Sequence, residues 1–125
     1  MSTKTSVLLF GLTLLLLVGG LYLATKKPSG TVGNLDNYAK CLTEKGMTMY
    51  GAYWCQHCKN IKKLFGDSFK YVQYVECTVE TKTCTDKGVN GYPTFIFSDG
   101  SRLEGEITLS DFANKTSCPL PNATQ

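Results

Sequence analysis

The chain has 125 residues, enough for one small domain and a short appendage. Its formal net charge of +3 comes from the amino-terminal part, because residues 28–125 contain ten basic and ten acidic side chains. A domain without net charge offers no basic surface to a phosphate backbone, so nucleic acid is excluded as an expected partner. Six cysteines in so short a chain are typical of an oxidising compartment, where disulfides persist.

The segment from Val7 to Ala24 differs from the rest because it contains almost no polar side chain. As a helix it would be about 27 Å long, close to the thickness of the hydrocarbon core of a bilayer. We therefore predict a transmembrane anchor over residues 7–24, preceded by a short cytoplasmic tail over residues 1–6. A cleaved signal peptide is the alternative, but the apolar run is long for one and ends without a small-x-small cleavage site.

The orientation of this segment follows from the cysteines. Basic residues flank both of its ends, so the positive-inside rule does not decide between the two orientations. The number of cysteines favours the extracytoplasmic side for the folded part. We expect a single-pass membrane protein whose domain lies in a periplasm-like or luminal space. Residues 25–34 include a stretch of Pro, Ser, Gly and Thr that is typical of a flexible linker.

Helical and extended patterns alternate through residues 35–118, which we predict to be the folded domain. The predicted helices are Leu35–Lys45, Cys55–Phe65, Thr81–Gly88 as a short helix or loop, and Leu109–Lys115. The predicted strands are Met47–Trp54, Tyr71–Cys77, Thr94–Ser98 and Arg102–Glu106, the last two joined by a turn at Asp99-Gly100. This order predicts an α/β domain with a central mixed sheet of about four strands and helices on both faces. Residues 119–125 are expected to form a disordered tail.

Two cysteines lie where an apolar strand ends and an amphipathic helix begins, in the sequence Cys55-Gln56-His57-Cys58. With two residues between them on a first helical turn, the sulfurs can close or open a disulfide without a large backbone movement. The helix N-terminus stabilises a thiolate on Cys55, which we predict to be the attacking sulfur. Cys58, one turn further along, is predicted to be the buried thiol that resolves a mixed disulfide.

Residues around the dithiol are candidates for tuning it and for binding a substrate. His57 adds a donor or a partial positive charge near Cys55, which would make the disulfide more oxidising; the alternative is a histidine exposed in a loop. Pro93 precedes a strand, where a residue that donates no hydrogen bond is tolerated. If its peptide bond is cis, the backbone of Tyr92 can face the dithiol and pair with an extended substrate. The predicted substrate-binding residues are Trp54, Gln56, Tyr92 and Thr94.

These motifs resemble a known family. The sequence Trp54-Cys55-Gln56-His57-Cys58-Lys59, followed by Val89-Asn90-Gly91-Tyr92-Pro93-Thr94-Phe95 and the Asp99-Gly100 turn, resembles a thioredoxin. A closer resemblance is to the thioredoxin-like domain fused to vitamin K epoxide reductase homologues in bacteria and plants. It runs through Met49-Tyr50-Gly51-Ala52-Tyr53-Trp54-Cys55, Leu64-Phe65-Gly66 and Tyr74-Val75-Glu76-Cys77.

The resemblance implies a thioredoxin-like fold in which Pro93 is the cis-proline and a catalytic residue beside the dithiol. It also implies that electrons pass from substrate thiols to a quinone-reducing membrane partner, which we expect to be a separate, vitamin K epoxide reductase-like protein. No cofactor is expected in the chain itself. Gln56 stands where the family usually has proline. Met49 stands where cytosolic thioredoxins carry a buried acid, and the lack of that acid weakens the case for a general reductase.

Four further cysteines can pair in three ways. We favour Cys77 with Cys84, which closes a short loop after a strand, and Cys41 with Cys118, which ties the first helix of the domain to the end of the last. Chain entropy assigns about 2.5 kcal/mol to the first bond and about 4.5 kcal/mol to the second. The alternative is a zinc site formed by the dithiol with Cys77 and Cys84, but the six residues between the latter two disfavour it, and no metal is expected.

The sequence therefore predicts an enzyme that exchanges dithiols and disulfides in exported proteins, more as an oxidant than as a reductant because of His57. A membrane-tethered reductase that supplies electrons to extracytoplasmic thiols is one alternative, and a reduction potential separates the two. The other alternative is a non-catalytic adaptor or chaperone of the same fold, in which the dithiol is a structural disulfide. An unreactive Cys55 would favour that adaptor.

Overall fold

The structure is a computed structural model that describes residues 3–24 and 34–121. The chain divides into two compact units, Met1–Thr31 and Val32–Gln125, and each is described by itself. The predicted linker over residues 25–34 lies outside the described residues except for Asn34. The same holds for residues 1–2 and 122–125 of the two predicted tails.

The first unit contains one helix, α1, which spans Thr3–Ala24. The segment predicted to be helical, residues 7–24, lies within it. Among the residues that the structure describes, we find no helix whose length and apolar character would let it cross a membrane. Membrane anchoring stays a prediction.

The second unit alternates helices and strands in the predicted order. Its helices are α2 (Asp36–Glu44), α3 (Gln56–Phe65), α4 (Thr81–Asp86) and α5 (Leu109–Thr116). Its strands are β1 (Thr48–Gly51), β2 (Gln73–Glu76), β3 (Thr94–Ile96) and β4 (Arg102–Glu104). A 3₁₀ helix over Gly66–Tyr71, which the sequence did not predict, joins α3 to β2.

The strands form one mixed sheet in the order β2-β1-β3-β4. β1 pairs parallel to β2 and antiparallel to β3, and β3 pairs antiparallel to β4. Met49 of β1 thus lies between Tyr74 and Phe95 of the two neighbouring strands. The predicted mixed sheet of four strands is confirmed.

All four strands are shorter than predicted, and for the first two the reason lies in the neighbouring turn and helix. The strand predicted over Met47–Trp54 stops at Gly51, since the N–H of Cys55 donates to Ala52 O over 3.0 Å in a turn that leads into α3. The strand predicted over Tyr71–Cys77 starts only at Gln73, since the preceding residues belong to the 3₁₀ helix.

Helices cover both faces of the sheet. Met49 and Phe95 are buried in the larger core with residues of α2, α3 and α5, where the rings of Phe95 and Phe112 lie 4.8 Å apart. Side chains alternate along a strand, so Tyr50 points to the other face, where it packs with Cys84 of α4. Burial of each large apolar side chain contributes about 1.5 to 3 kcal/mol. β1 is therefore fixed from both faces, and so is the position at which α3 begins.

Candidate active site

The dithiol lies at the junction between β1 and α3. Cys55 is the N-cap of α3, and its sulfur accepts a hydrogen bond from the backbone N–H of Cys58 over 3.4 Å. The N–H groups of a first helical turn lack partners within the helix and carry a partial positive charge. The Cys55 sulfur is therefore held where a negative charge on it is stabilised.

The two sulfurs differ in access to solvent and in acidity. Both cysteines are free thiols; Cys55 keeps 6% of its surface exposed and Cys58 only 1%. Burial, reinforced by the hydrogen bond to Cys55, raises the pKa of the Cys58 thiol to about 12. An incoming sulfur therefore meets Cys55 first, while Cys58 stays protonated behind it.

The loop that precedes β3 faces the dithiol. Its Tyr92–Pro93 peptide bond is cis, and Tyr92 O accepts a hydrogen bond from the Cys55 thiol over 3.6 Å. The Thr94 hydroxyl donates to Gly91 O over 2.8 Å, and Thr94 itself is buried. Thr94 thus ties the loop from inside and offers no side-chain surface to a substrate.

An open cleft of about 470 Å³ lies beside the Cys55 sulfur. It is lined by residues 89–92 and by Trp54, Cys55, Gln56 and His57. The Trp54 side chain is 59% exposed, and its ring meets that of Tyr92 edge-on with centroids 5.9 Å apart. Exposed aromatic surface next to a reactive sulfur suits an extended peptide segment. Three of the four predicted substrate-binding residues therefore line the cleft, and Thr94 does not.

His57 is paired with a residue that the sequence analysis missed. Its Nδ1 lies 2.7 Å from Glu106 Oε2, and the Asn60 amide donates to both carboxylate oxygens of Glu106 over 3.2 Å. The hydrogen bond from His57 lowers the pKa of the Glu106 carboxyl, with Asn60 adding to the effect. Glu106 follows His57 by 49 positions, so no local pattern connects them.

The remaining four cysteines form two disulfides. Cys41 bonds to Cys118 with their Cα atoms 5.9 Å apart, and Cys77 bonds to Cys84 with their Cα atoms 5.7 Å apart. These are the pairings that the sequence analysis favours. Cys77 and Cys84 are thus bonded to each other and are not free to bind zinc. Within the described ranges, no cluster of three or more His, Cys, Asp or Glu side chains could hold a metal ion.

The sequence profile of the thioredoxin family matches residues 34–116. The chain belongs to the thioredoxin family. The match begins before α2, ends at the last residue of α5 and so includes both the dithiol and the Pro93 loop. The thioredoxin-like fold expected from the motifs is confirmed by this match.

Curated relatives include thiol-disulfide enzymes. The thiol-disulfide oxidoreductase LTO1 of Arabidopsis thaliana is 40% identical over 96 residues, which cover 70% of this chain and 25% of that protein. The probable protein disulfide-isomerase ER-60 of Schistosoma mansoni is 33% identical over 78 residues, which cover 54% of this chain and 16% of that protein. The chain thus spans a quarter or less of the length of these relatives.

Among solved structures, a thioredoxin h from poplar superimposes with a TM-score of 0.47 at 18% sequence identity. The overlap covers 64% of this chain and 86% of the poplar chain.

Proposed function

We propose that this protein is a thiol:disulfide oxidoreductase that acts on cysteines of other proteins, with Cys55 as the exchanging sulfur and Cys58 as the resolving one. One observation carries the proposal: a free Cys55 caps the N-terminus of α3 and adjoins an open cleft, 3.6 Å from Tyr92 O. LTO1, whose matched segment covers 70% of this chain, is named a thiol-disulfide oxidoreductase, which supports the same activity.

In the oxidising direction the reaction starts from a Cys55–Cys58 disulfide. A substrate thiolate attacks the Cys55 sulfur and forms a mixed disulfide, while the electron pair of the broken bond leaves on Cys58, which takes up a proton. A second substrate thiolate then attacks the substrate sulfur of the mixed disulfide, and Cys55 leaves as a thiolate. The substrate has lost two electrons and two protons in total. Cys55 and Cys58 have gained the two electrons, Cys58 has gained one proton, and the other proton is released to solvent.

We favour oxidation over reduction because the reduced form carries stabilising contacts. The Cys58 N–H donates to the Cys55 sulfur at a helix N-terminus, and a stabilised thiolate makes a disulfide more oxidising. His57 follows Cys55 by two residues in the sequence and lines the same cleft. A measured reduction potential decides the direction, since a value near about −270 mV, as in cytosolic thioredoxin, would favour a tethered reductase instead.

We further propose that residues 7–24 anchor the domain on the extracytoplasmic side of a membrane. The near absence of polar side chains in that segment supports the anchor. The Cys41–Cys118 and Cys77–Cys84 disulfides support an oxidising compartment. There, a separate quinone-reducing membrane protein similar to vitamin K epoxide reductase would accept the two electrons from the dithiol. The resemblance of the motifs around Cys55 supports this partner.

The test is a trap for mixed disulfides. A Cys58→Ala variant lacks the protein's own resolving sulfur, so mixed disulfides on Cys55 should live longer and accumulate as covalent adducts in cells that produce the chain. We expect adducts on non-reducing gels that disappear on reduction and that are absent from the Cys55→Ala/Cys58→Ala control. Mass spectrometry of the adducts then identifies the substrates and any membrane partner. Equal adduct levels in both variants would refute the proposed activity and favour the non-catalytic adaptor.

A further inference from the structure

The resolving step requires the less accessible thiol to ionise. Cys58 must lose its proton before it can attack a mixed disulfide on Cys55, yet burial raises its pKa to about 12. On the strand behind it, the fully buried Met49 offers neither a charge nor a proton acceptor. Stabilisation of a Cys58 thiolate must therefore come from other neighbours.

One of these neighbours is Tyr74 of β2. A Cβ atom placed on Gly51 would lie 2.9 Å from Cys58 Sγ, 3.1 Å from Tyr74 Cε2 and 3.3 Å from the Tyr74 hydroxyl. The sulfur and the phenol edge therefore both border the bare backbone of Gly51. Burial is the main cause that raises the pKa of Tyr74, so the phenol stays neutral and brings no negative charge to the sulfur.

Tyr74 also holds a cation. The ammonium of Lys62 lies 3.8 Å from the centroid of the Tyr74 ring and 5.5 Å from that of Phe69. Lys62 follows Cys58 by one helical turn in α3, so the two side chains lie on the same face of the helix. A cation over the face of an aromatic ring is attracted by the ring quadrupole, which holds the ammonium over the Tyr74 ring.

Glu76 holds the hydroxyl group of Tyr74 in place. The Tyr74 hydroxyl donates to Glu76 Oε2 over 2.7 Å, so its proton points to the carboxylate. Burial acts against ionisation of Glu76, but hydrogen bonds from Tyr74 and Thr78 hold its pKa below the usual range. Glu76 is thus anionic at neutral pH, and Lys62 is the cation that offsets it near the sulfur.

We propose that Lys62 is a positioning residue for the resolving step, whose ammonium, held on the Tyr74 ring, stabilises the thiolate that Cys58 forms when it attacks. The inference rests on the proposed function. The step belongs to reoxidation of the dithiol, after Cys55 has attacked an acceptor disulfide, and it is the reverse of the step that opens substrate oxidation. Cys58 gives its proton to solvent, and its thiolate attacks the Cys55 sulfur of the mixed disulfide. A Cys55–Cys58 bond forms, the bond from Cys55 to the acceptor breaks, and the electron pair leaves on the acceptor sulfur.

The charged and titratable groups around Cys58 come from two elements. α3 contributes Cys55 and Lys62, and β2 contributes Tyr74 with its partner Glu76. Burial and Cys55 raise the pKa of Cys58, whereas a backbone hydrogen bond at Ala52 and the charge of Lys62 lower it. Lys62 is the one cation in this set. Removal of its charge should therefore raise the pKa of Cys58 further, so that less of the thiolate is present at any given pH.

The experiment separates the two steps of exchange in the full chain. Reduced protein is mixed with glutathione disulfide, and acid-quenched samples are weighed by mass spectrometry over a series of pH values. Attack by Cys55 adds one glutathione in a bimolecular phase, and attack by Cys58 removes it in a unimolecular phase. Lys62→Met removes the charge, Lys62→Arg keeps it, and Lys63→Met is the matched control at the exposed neighbouring lysine.

We expect Lys62→Met to slow the unimolecular phase about fivefold at neutral pH and to shift its pH midpoint upward. The bimolecular phase should keep its rate, Lys62→Arg should restore the unimolecular phase, and Lys63→Met should match the wild type. The inference is overturned if Lys62→Met releases glutathione as fast as Lys63→Met, or if both phases slow together while circular dichroism shows an intact fold. A wild-type chain that gains no glutathione would refute the proposed function itself, and this inference with it.

Discussion

Gly51 is the residue that lets the dithiol lie directly against the sheet. It is the last residue of β1, and any Cβ at this position would approach Cys58 Sγ to 2.9 Å. Such a distance is shorter than a van der Waals contact, so either the sulfur or the Tyr74 ring would have to move. The absence of a side chain is therefore a steric requirement of the site.

Gly51→Ala should lower the free energy of unfolding by about 1 to 3 kcal/mol, because the added methyl overpacks the space between Cys58 and Tyr74. Urea unfolding of the reduced protein measures this change. Gly91→Ala is the control for stability, since a Cβ there meets no atom within 4 Å. A Gly51→Ala variant as stable as Gly91→Ala would show that the space is larger than the structure indicates.

His57 illustrates how tertiary contacts modify the chemistry that a motif implies. Its position in the Cys55-Gln56-His57-Cys58 sequence suggests a charge close to the attacking sulfur. In the fold, its Nδ1 is bonded to Glu106, which Asn60 holds in turn. The charge that His57 can offer to the Cys55 sulfur is therefore shared with a carboxylate.

At the scale of elements, α2 and α5 are joined by a partly buried hydrogen bond. The Tyr38 hydroxyl of α2 donates to Leu109 O at the first residue of α5, over 2.5 Å. α5 begins with a capping box in which Thr108 and Asp111 each bond the other's backbone N–H. The first turn of α5 is thus stabilised by its own capping box and by a hydrogen bond from Tyr38, which is distant in the sequence.

Tyr38 should make the protein less stable in alkali. Burial raises the pKa of Tyr38 in the folded state from its ordinary value of 10.0 to about 12. The pKa of Tyr38 is higher in the folded state than in the unfolded state. The contribution of the neutral phenol to the free energy of unfolding is therefore fully present below pH 10 and is lost as the pH rises to about 12. The free energy of unfolding should fall by about 2 kcal/mol over this range.

Urea unfolding over this pH range, with Tyr38→Phe as the control, measures the effect. The variant starts lower by about 1 kcal/mol, because it lacks the hydrogen bond to Leu109, but should lose less stability as the pH rises. Tyr74 is present in both proteins, so the difference in slope isolates Tyr38. Parallel curves would contradict the predicted cause.

At the scale of the whole domain, two disulfides restrain the unfolded chain to different extents. Cys41–Cys118 joins positions 77 residues apart and closes nearly the entire domain into one loop. Cys77–Cys84 joins positions 7 residues apart, on the face of the sheet opposite the larger core. A longer closed loop loses more conformational freedom when unfolded, so the first bond should stabilise the fold more.

Replacing both members of a pair by serine tests this order. The Cys41/Cys118 double variant should lose about 4.5 kcal/mol and the Cys77/Cys84 variant about 2.5 kcal/mol, as upper values. Urea unfolding with Cys55 and Cys58 kept in the same redox state gives both numbers. If the short-loop variant lost as much as the other, local packing around Cys84 rather than chain entropy would dominate.

Local signals in the sequence were sufficient for the turn between β3 and β4. Asp99-Gly100 was predicted as a hairpin turn, and Gly100 has a φ of 79° with its N–H donating to Phe97 O. The 3₁₀ helix over Gly66–Tyr71 was missed because its polar groups find partners far away in the chain. Ser68 donates to Asp36 at the start of α2, and the Tyr71 carbonyl accepts from Thr43 near its end.

The sequence by itself determined the alternation of elements, the helix that begins at the dithiol and the preferred cysteine pairs. These features depend on side-chain period, turn residues and loop length, which are properties of neighbouring positions. The tertiary structure decided which groups surround the two sulfurs. It places Tyr92 O at Cys55, which the sequence had left conditional on a cis bond before Pro93, and it brings Tyr74 with Lys62 to the neighbourhood of Cys58. The reason is physical, since contacts between separate strands and helices arise only when burial packs them together.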